Sequence, residues 1–227
     1  HTIRGVLLAS LAEGTSVLKN PLDSDDTKAM VDACTALGAT VDSSDMHTWK
    51  ITGFGKSPKE PAEPLSLANS GTSLRLLSGV LGALCDFSVT LEGDDSLQTR
   101  PMQPLLTSLN VLGAEALSVN NDGCCPITLQ GKIEGGSTEI SGITSQYVSS
   151  LLIAAPLAHK DTTITVLDPH EIPYIQMTLY WLRELGITVE ASEDFTRFTI
   201  PGNQSYSSFE KTIPGDWSSA TFPLVGA

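Results

Sequence analysis

Positive charge is what this sequence has least of. Its 227 residues carry 13 Lys+Arg against 26 Asp+Glu, a formal net charge of −13. A field of that sign repels polyanions, so nonspecific binding to nucleic acid or to an anionic membrane surface is excluded. A small anion is an acceptable ligand only where positive groups gather locally. The placement of the five arginines, Arg4, Arg75, Arg100, Arg183 and Arg197, therefore carries weight.

Cysteine is also scarce, with Cys34, Cys85, Cys124 and Cys125 in all. No Cys-x-x-Cys pair exists, and the adjacent thiols at 124 and 125 are poorly placed to chelate zinc together. They read as reduced thiols of a cytoplasmic protein. No apolar run reaches membrane-spanning length, and no signal peptide is expected. The phosphate loop G-x-x-x-x-G-K-[ST], the dinucleotide fingerprint G-x-G-x-x-G, the elbow G-x-S-x-G and the zinc motif H-E-x-x-H are all missing. The histidines His1, His47, His159 and His170 are scattered and read as structural or surface residues. His170, in the loop before Pro173-Tyr174, stands nearest to a site. Hydrophobic residues make up 41% and charged residues 17%, which fits a compact fold rather than a disordered chain.

A threefold repeat organises the chain. Leu-Gly followed by a short polar-apolar alternation occurs at Leu37-Gly38-Ala39-Thr40-Val41, Leu112-Gly113-Ala114-Glu115-Ala116 and Leu185-Gly186-Ile187-Thr188-Val189. Each glycine falls where a helix ends in a left-handed cap and a strand begins. Around each, the same order of elements is predicted. An apolar helix (3–12, 74–84, 147–157) leads to a strand (16–19, 88–92, 162–167). A second helix (24–37, 101–112, 174–185) and two more strands follow, as at 188–191 and 197–200. The first helices are apolar on most sides, so they are expected inside, around a pseudo-threefold axis.

Those first helices begin in small polar residues: His1-Thr2-Ile3-Arg4, Asn69-Ser70-Gly71-Thr72-Ser73-Leu74-Arg75 and Ser141-Gly142-Ile143-Thr144-Ser145-Gln146. Such residues cap any helix by accepting from free backbone N–H groups. Three related starts, with Arg4 and Arg75 in two of them and Arg100 opening the second helix of repeat two, point further. Helix N-termini and guanidinium groups together suit a small phosphorylated anion.

The segment Leu-Ala-Asn-Ser-Gly-Thr-Ser-Leu-Arg at 67–75 resembles the N-A-G-T-x-x-R signature of the 5-enolpyruvylshikimate-3-phosphate synthase family of enolpyruvyl transferases. Leu22-Asp23-Ser24-Asp25-Asp26-Thr27, Arg100-Pro101, Ser145-Gln146, Pro173-Tyr174 and Gly215-Asp216-Trp217-Ser218-Ser219-Ala220 match further family segments in order, over essentially the whole chain. The resemblance implies an α/β fold of three βαβαββ repeats around a pseudo-threefold axis, an inside-out α/β barrel that is one of two domains with the active site between them. Residues 1–213 would be the three-repeat domain (repeats about 1–66, 67–140 and 141–213). Residues 214–227 would begin the crossover into a second domain that this sequence lacks. The ends agree with a piece of a longer polypeptide: His1 opens without Met, and 221–227 stops without a cap or polar tail.

The implied reaction transfers the enolpyruvyl group of phosphoenolpyruvate to the 5-hydroxyl of shikimate-3-phosphate and releases phosphate, with no metal or organic cofactor. By the same resemblance Arg4, Thr144, Ser145, Gln146 and Tyr174 would hold shikimate-3-phosphate. Gly71, Thr72, Arg100 and Gln146 would serve phosphoenolpyruvate, with Gly71 permitting close approach and Thr72 and Arg75 acting indirectly. The acid and base groups would lie in the absent domain, so this chain alone is expected not to turn over and to bind shikimate-3-phosphate at most weakly.

Departures from the family pattern matter. Leu76 stands where a Pro usually follows the signature Arg, leaving glyphosate response open. Glu171 replaces a Ser three residues before the Tyr. A carboxylate facing a phosphate would be repelled, so Glu171 either points away or that contact is lost. Two alternatives remain beside this reading. One is UDP-N-acetylglucosamine enolpyruvyl transferase, disfavoured because the run before Arg100-Pro101 has no Cys. The other is a non-catalytic, repeat-built binding module whose polar helix starts merely cap.

Overall fold

The computed structural model describes residues 1–215 and 217–226. In chain order, α1 (Thr2–Leu11) leads through β1 (Ala12–Glu13) and β2 (Thr15–Lys19) to α2 (Asp25–Ala36), β3 (Thr40–Asp45) and β4 (Thr48–Thr52). Next come β5 (Leu65–Ser66), α3 (Gly71–Leu84), β6 (Val89–Glu92), α4 (Gln103–Val111), β7 (Glu115–Ser118) and β8 (Ile127–Gln130). The order then repeats with β9 (Gly136–Ser141), α5 (Ser145–Ala154), β10 (Thr162–Leu167), α6 (Ile172–Glu184), β11 (Glu190–Ala191) and β12 (Arg197–Ile200). Strands β13 (Tyr206–Ser207) and β14 (Glu210–Thr212) precede a last helix, α7 (Trp217–Val225).

Three four-stranded sheets share one topology. β5-β6-β8-β7 and β9-β10-β12-β11 each begin with a parallel pair and continue with two antiparallel pairings. The remaining sheet, β14-β2-β4-β3, has the same pattern, but its parallel outer strand comes from the other end of the chain. That pairing ties 210–212 to 17–19, so the third unit's exit is stapled to the first unit's sheet. β1 and β13 add a short parallel pair.

The apolar first helices lie inside, as their composition predicts. In α1 every residue except Ile3 is buried, and α3 and α5 are nearly as deep. Burying a Leu, Ile or Val side chain contributes about 1.5–3 kcal/mol, so these helices supply much of the core. α3 and α5 cross tightly at Gly79, where an added Cβ would stand 2.5 Å from Ser150 Oγ. The Gly79 N–H donates to that hydroxyl, which in turn donates to the Arg75 carbonyl. α2 begins with a capping box in which Ser24 and Thr27 satisfy each other's backbone. The three repeat glycines take the expected left-handed turn, with φ +107° at Gly38, +110° at Gly113 and +75° at Gly186.

Several expected boundaries move. α4 starts at Gln103 rather than at 101, because Pro101 is held extended in a bridge to Cys124 and both Met102 N and Gln103 N donate to the Gly123 carbonyl. Arg100 therefore ends a short 3₁₀ turn (Leu97–Thr99) instead of opening a helix. α5 stops at Ala154 and tightens into a 3₁₀ turn (Ala155–Leu157), since Pro156 has no N–H to continue the ladder. α3 and α5 each begin earlier than predicted, at Gly71 and Ser145, bringing the polar start residues into the first turn. The expected 188–191 strand shortens to β11.

All four thiols are free, and Cys34, Cys85 and Cys125 are buried. Burial pushes Cys34 and Cys85 up to about 12, which keeps them protonated and inert. Within the expected crossover at 214–227, Asp216 and Ala227 fall outside the described residues. No helix among the described residues is long and apolar enough to cross a membrane.

Candidate anion-binding cleft

The first turns of α1, α3 and α5 open onto one cleft of about 1040 Å³. Its wall includes Thr2 and Arg4 from α1, Thr72 from α3, Ser145 and Gln146 from α5, and Glu171 and Tyr174 at the start of α6. Three helix N-termini thus face a common space, and each brings partial positive charge and unsatisfied backbone donors. The size suits one or two small ligands.

Arg4 is 5% exposed and lies one turn into α1. Its Nε donates to Thr178 Oγ1 of α6 at 2.9 Å, and Nη2 donates to Ser149 Oγ of α5 at 3.3 Å. The two hydroxyls also bond to each other at 2.8 Å. Burial lowers the Arg4 pKa to about 10, with the nearby Tyr174 acting the other way, so the group stays charged at neutral pH. Among the described residues no carboxylate forms an ion pair with it. A guanidinium removed from water and held by neutral hydroxyls alone is unfavourable until an anion arrives.

Gln146 joins the cleft to the second unit. Its Oε1 accepts from Arg75 Nη1 at 2.7 Å, and its Nε2 donates to Thr72 Oγ1 at 3.0 Å. The two contacts fix which end of the amide faces which neighbour. Arg75 also lies 5.4 Å from the Tyr147 ring centroid, and its Nη2 reaches the Pro101 carbonyl at 3.4 Å. Thr72 and Arg75 are thus positioning residues for Gln146.

Beyond that amide lies Arg100. A Cβ on Gly71 would stand 2.7 Å from Arg100 Nη1 and 3.2 Å from Arg75 Nη1, so two guanidinium groups occupy the space a side chain there would need. Arg100 Nη2 donates to Asn69 Oδ1 at 2.5 Å, and Asn69 Nδ2 donates to Asp94 Oδ2 at 2.7 Å. The hydrogen bond from Asn69 leads in holding the Asp94 carboxyl below its ordinary value, and the charge of Arg100 adds to it.

Thr144 caps α5, its hydroxyl accepting from the Gln146 N–H. Ser70 likewise caps α3, accepting from Ser73 N at 3.3 Å. Capping and the gathering of helix starts therefore coexist. Of the predicted ligands, Arg4, Thr72, Ser145, Gln146 and Tyr174 line the cleft. Thr144, Gly71 and Arg100 adjoin it without being part of its wall, the last two behind the Arg75–Gln146 pair. His170 is no part of the wall either; it pairs with Asp168 at 3.0 Å on an exposed loop.

Glu171 does not point away. One carboxylate oxygen, Oε2, accepts from the Ser145 N–H at 3.0 Å, the Ser145 hydroxyl at 2.8 Å and the Thr144 hydroxyl at 3.4 Å. Burial pushes this carboxyl up, but the bonds from Ser145 and Thr144 and the charge of Arg75 outweigh it and hold the group below the ordinary carboxylate range. Sequence reasoning also missed Ser149 and Thr178, the hydroxyl clamp on Arg4. Each stands one helical turn after an expected ligand, Ser145 and Tyr174, and that spacing was the signal available.

Three buried helices lie inside three like sheets, and their starts converge on one cleft. The family model for EPSP synthase (3-phosphoshikimate 1-carboxyvinyltransferase) matches residues 1–227, and the chain belongs to this family. A curated relative from Acetivibrio thermocellus, called 3-phosphoshikimate 1-carboxyvinyltransferase, is 45% identical over 229 residues, covering 100% of this chain and 53% of its own length. One of the same description from Methanothermobacter thermautotrophicus is 41% identical over 228 residues with the same coverage. A solved structure of EPSP synthase from Acinetobacter baumannii superposes with a TM-score of 0.88 at 29% identity, over 100% of this chain and 50% of that one. The chain spans about half the length of the relatives it matches.

Proposed function

We propose that this chain is the shikimate-3-phosphate-binding half of an enzyme that moves the enolpyruvyl group of phosphoenolpyruvate to the 5-hydroxyl of shikimate-3-phosphate. In that reaction the 5-oxygen bonds to C2 of phosphoenolpyruvate, the C2–O bond to phosphate breaks, and the hydroxyl proton leaves with the inorganic phosphate. The observation that carries the reading is Arg4, a buried charge with neutral partners, facing the cleft on which three helix starts converge. Family membership supports the same chemistry.

In this reading Arg4, Thr144, Ser145 and Tyr174 hold shikimate-3-phosphate, its phosphate meeting the start of α5. Gln146 lies beneath the ring between the two substrates. Arg100 pairs with the phosphate of phosphoenolpyruvate, Gly71 keeps the approach open, and Thr72 supports through Gln146. Fixed donors in a site that closes against water stabilise developing charge better than water does. Residues 1–213 act as the three-repeat unit and 214–227 as the start of a crossover. The partner is the second half of the same polypeptide, which supplies the acid and base groups, and the setting is the cytoplasm.

Calorimetry on this chain tests the reading. Heat is expected with shikimate-3-phosphate and none with shikimate at the same concentration. Equal heats, or none with either, would refute a phosphate-reading cleft and leave a non-catalytic module. A steady-state assay of phosphate release is expected to show no turnover by this chain alone.

A further inference from the structure

Glu171 occupies a position that invites an anion from outside the chain. The start of α5 offers the Ser145 N–H and the hydroxyls of Ser145 and Thr144, and one oxygen of Glu171 takes all three. It does so from a left-handed backbone, φ +54°, uncommon for a residue with a side chain, while giving its own helix α6 no side-chain cap. A helix start attracts any anion and by itself names no ligand. The independent observation is Arg4 in the same cleft: a deeply buried guanidinium, hydrogen-bonded to two neutral hydroxyls and to no carboxylate among the described residues. Glu171, the one carboxylate among the described wall residues, is spent on α5 rather than on Arg4. The cleft therefore has two anion-seeking features, and the chain's own carboxylate answers one of them.

We infer that Glu171 is an internal competitor for the anion seat at the start of α5, and that it sets the seat's affinity for a phosphomonoester. Resting on the substrate reading above, the inference adds the residue that opposes the substrate's phosphate. Two anions within hydrogen-bonding distance of the same donors repel each other strongly, so one must leave. The Glu171 side chain is exposed, so water can replace the hydrogen bonds its departure gives up, and the favourable charge of Arg75 is the further interaction lost. A phosphate group, with more charge and more acceptor oxygens, can then take those donors and also approach Arg4. Such competition lowers the affinity of every anion that takes the seat by the same factor. Bare phosphate, with no further anchor, is then left with little affinity, whereas a phosphate carried on a ring can add contacts elsewhere in the cleft.

The test uses the whole chain with ¹⁵N labelling, as wild type, Glu171→Ser and Glu171→Gln. Inorganic phosphate is titrated while the Ser145 amide resonance is followed. Binding to Glu171→Ser is expected to be about tenfold tighter than to wild type, with the Ser145 amide moving to saturation. Glu171→Gln is expected in between, since its amide oxygen still accepts but carries no charge. Equal affinity in all three proteins, no binding to any of them, or binding that leaves the Ser145 amide in place would overturn the inference. Shikimate-3-phosphate and shikimate are run on the same samples. Tighter phosphate binding by Glu171→Ser together with no preference for shikimate-3-phosphate over shikimate keeps the competitor and removes the substrate reading. Shikimate-3-phosphate and phosphate binding wild type and Glu171→Ser alike does the reverse. Glu171 is exposed, and Ser meets the same backbone strain as Glu there, so both variants are expected to fold and to melt only slightly below the wild type, by the small contribution of the ionised carboxylate.

Discussion

Arg4 and Arg100 were both expected to meet anions, yet the fold treats their charges differently. Arg4 sits among buried side chains of α1, α5 and α6, and its hydrogen-bond partners among the described residues are the hydroxyls of Thr178 and Ser149. Arg100 is half-buried, is held by Asn69, and has the Asp94 carboxylate on the far side of that amide. The charge of Arg100 is answered within its own unit, whereas that of Arg4 is not. Among the described residues no ionic partner offsets the desolvation of Arg4, a cost that the proposed anion would relieve. A buried, unanswered guanidinium is therefore a sharper pointer to a ligand than an arginine in a matching motif.

The contrast can be broken most forcefully at Arg4. Arg4→Met keeps the length and removes the charge. Affinity for shikimate-3-phosphate is expected to fall about 100-fold, while the melting temperature holds or rises, since an apolar side chain replaces an unpaired buried charge. Calorimetry and thermal unfolding read the two effects separately. A lower melting temperature with unchanged affinity would make Arg4 structural.

Thr178→Val comes next. It removes the acceptor of Arg4 Nε and a member of the buried hydroxyl pair, so stability is expected to drop by about 1–2 kcal/mol. Denaturant unfolding checks this, and binding of shikimate-3-phosphate is expected to weaken in step because Arg4 loses its fixed direction. Arg100→Ala should be milder: affinity for shikimate-3-phosphate is expected to stay within about threefold of wild type, because this charge is partly exposed and answered locally. A loss as large as that of Arg4→Met would erase the distinction between the two arginines.

The smallest effect concerns pH. The Glu171 carboxyl is held below its ordinary value in the folded protein, so its ionised form favours the fold. That contribution is fully present above the unfolded value of about 4.3 and is lost as pH falls through the lowered folded value. Glu171→Gln is therefore expected to flatten the fall of stability below about pH 4, measured by denaturant unfolding at several acid pH values.

Much of the fold was legible along the chain. The second helices, the Leu-Gly caps and strand β10 follow from periods of 3.6 and 2 and from glycine's freedom at positive φ, all of which act within a few residues. Boundaries failed where a distant group intervened. Pro101 reads as a helix opener until Cys124, on another segment, pairs with it and keeps it extended. The cleft was legible as a set of residue types at helix starts, and five of the residues proposed as ligands share one wall. Glu171 was visible as an anomaly, but the direction of its side chain was not. That direction depends on a left-handed backbone and on donors 26 residues away.

The sequence by itself determined three like units, buried leading helices, capped second helices and a local supply of anion-seeking groups, because each of these rests on short-range sterics and periodicity. Only the tertiary structure decided that β14 completes the first sheet, that Thr178, 174 residues from Arg4, would orient its guanidinium, and that Glu171 would turn toward α5 rather than to solvent. These outcomes depend on which surfaces meet once the core has closed. A pairing across that distance is chosen by the packing of whole helices and sheets, not by any preference of the residues that make it.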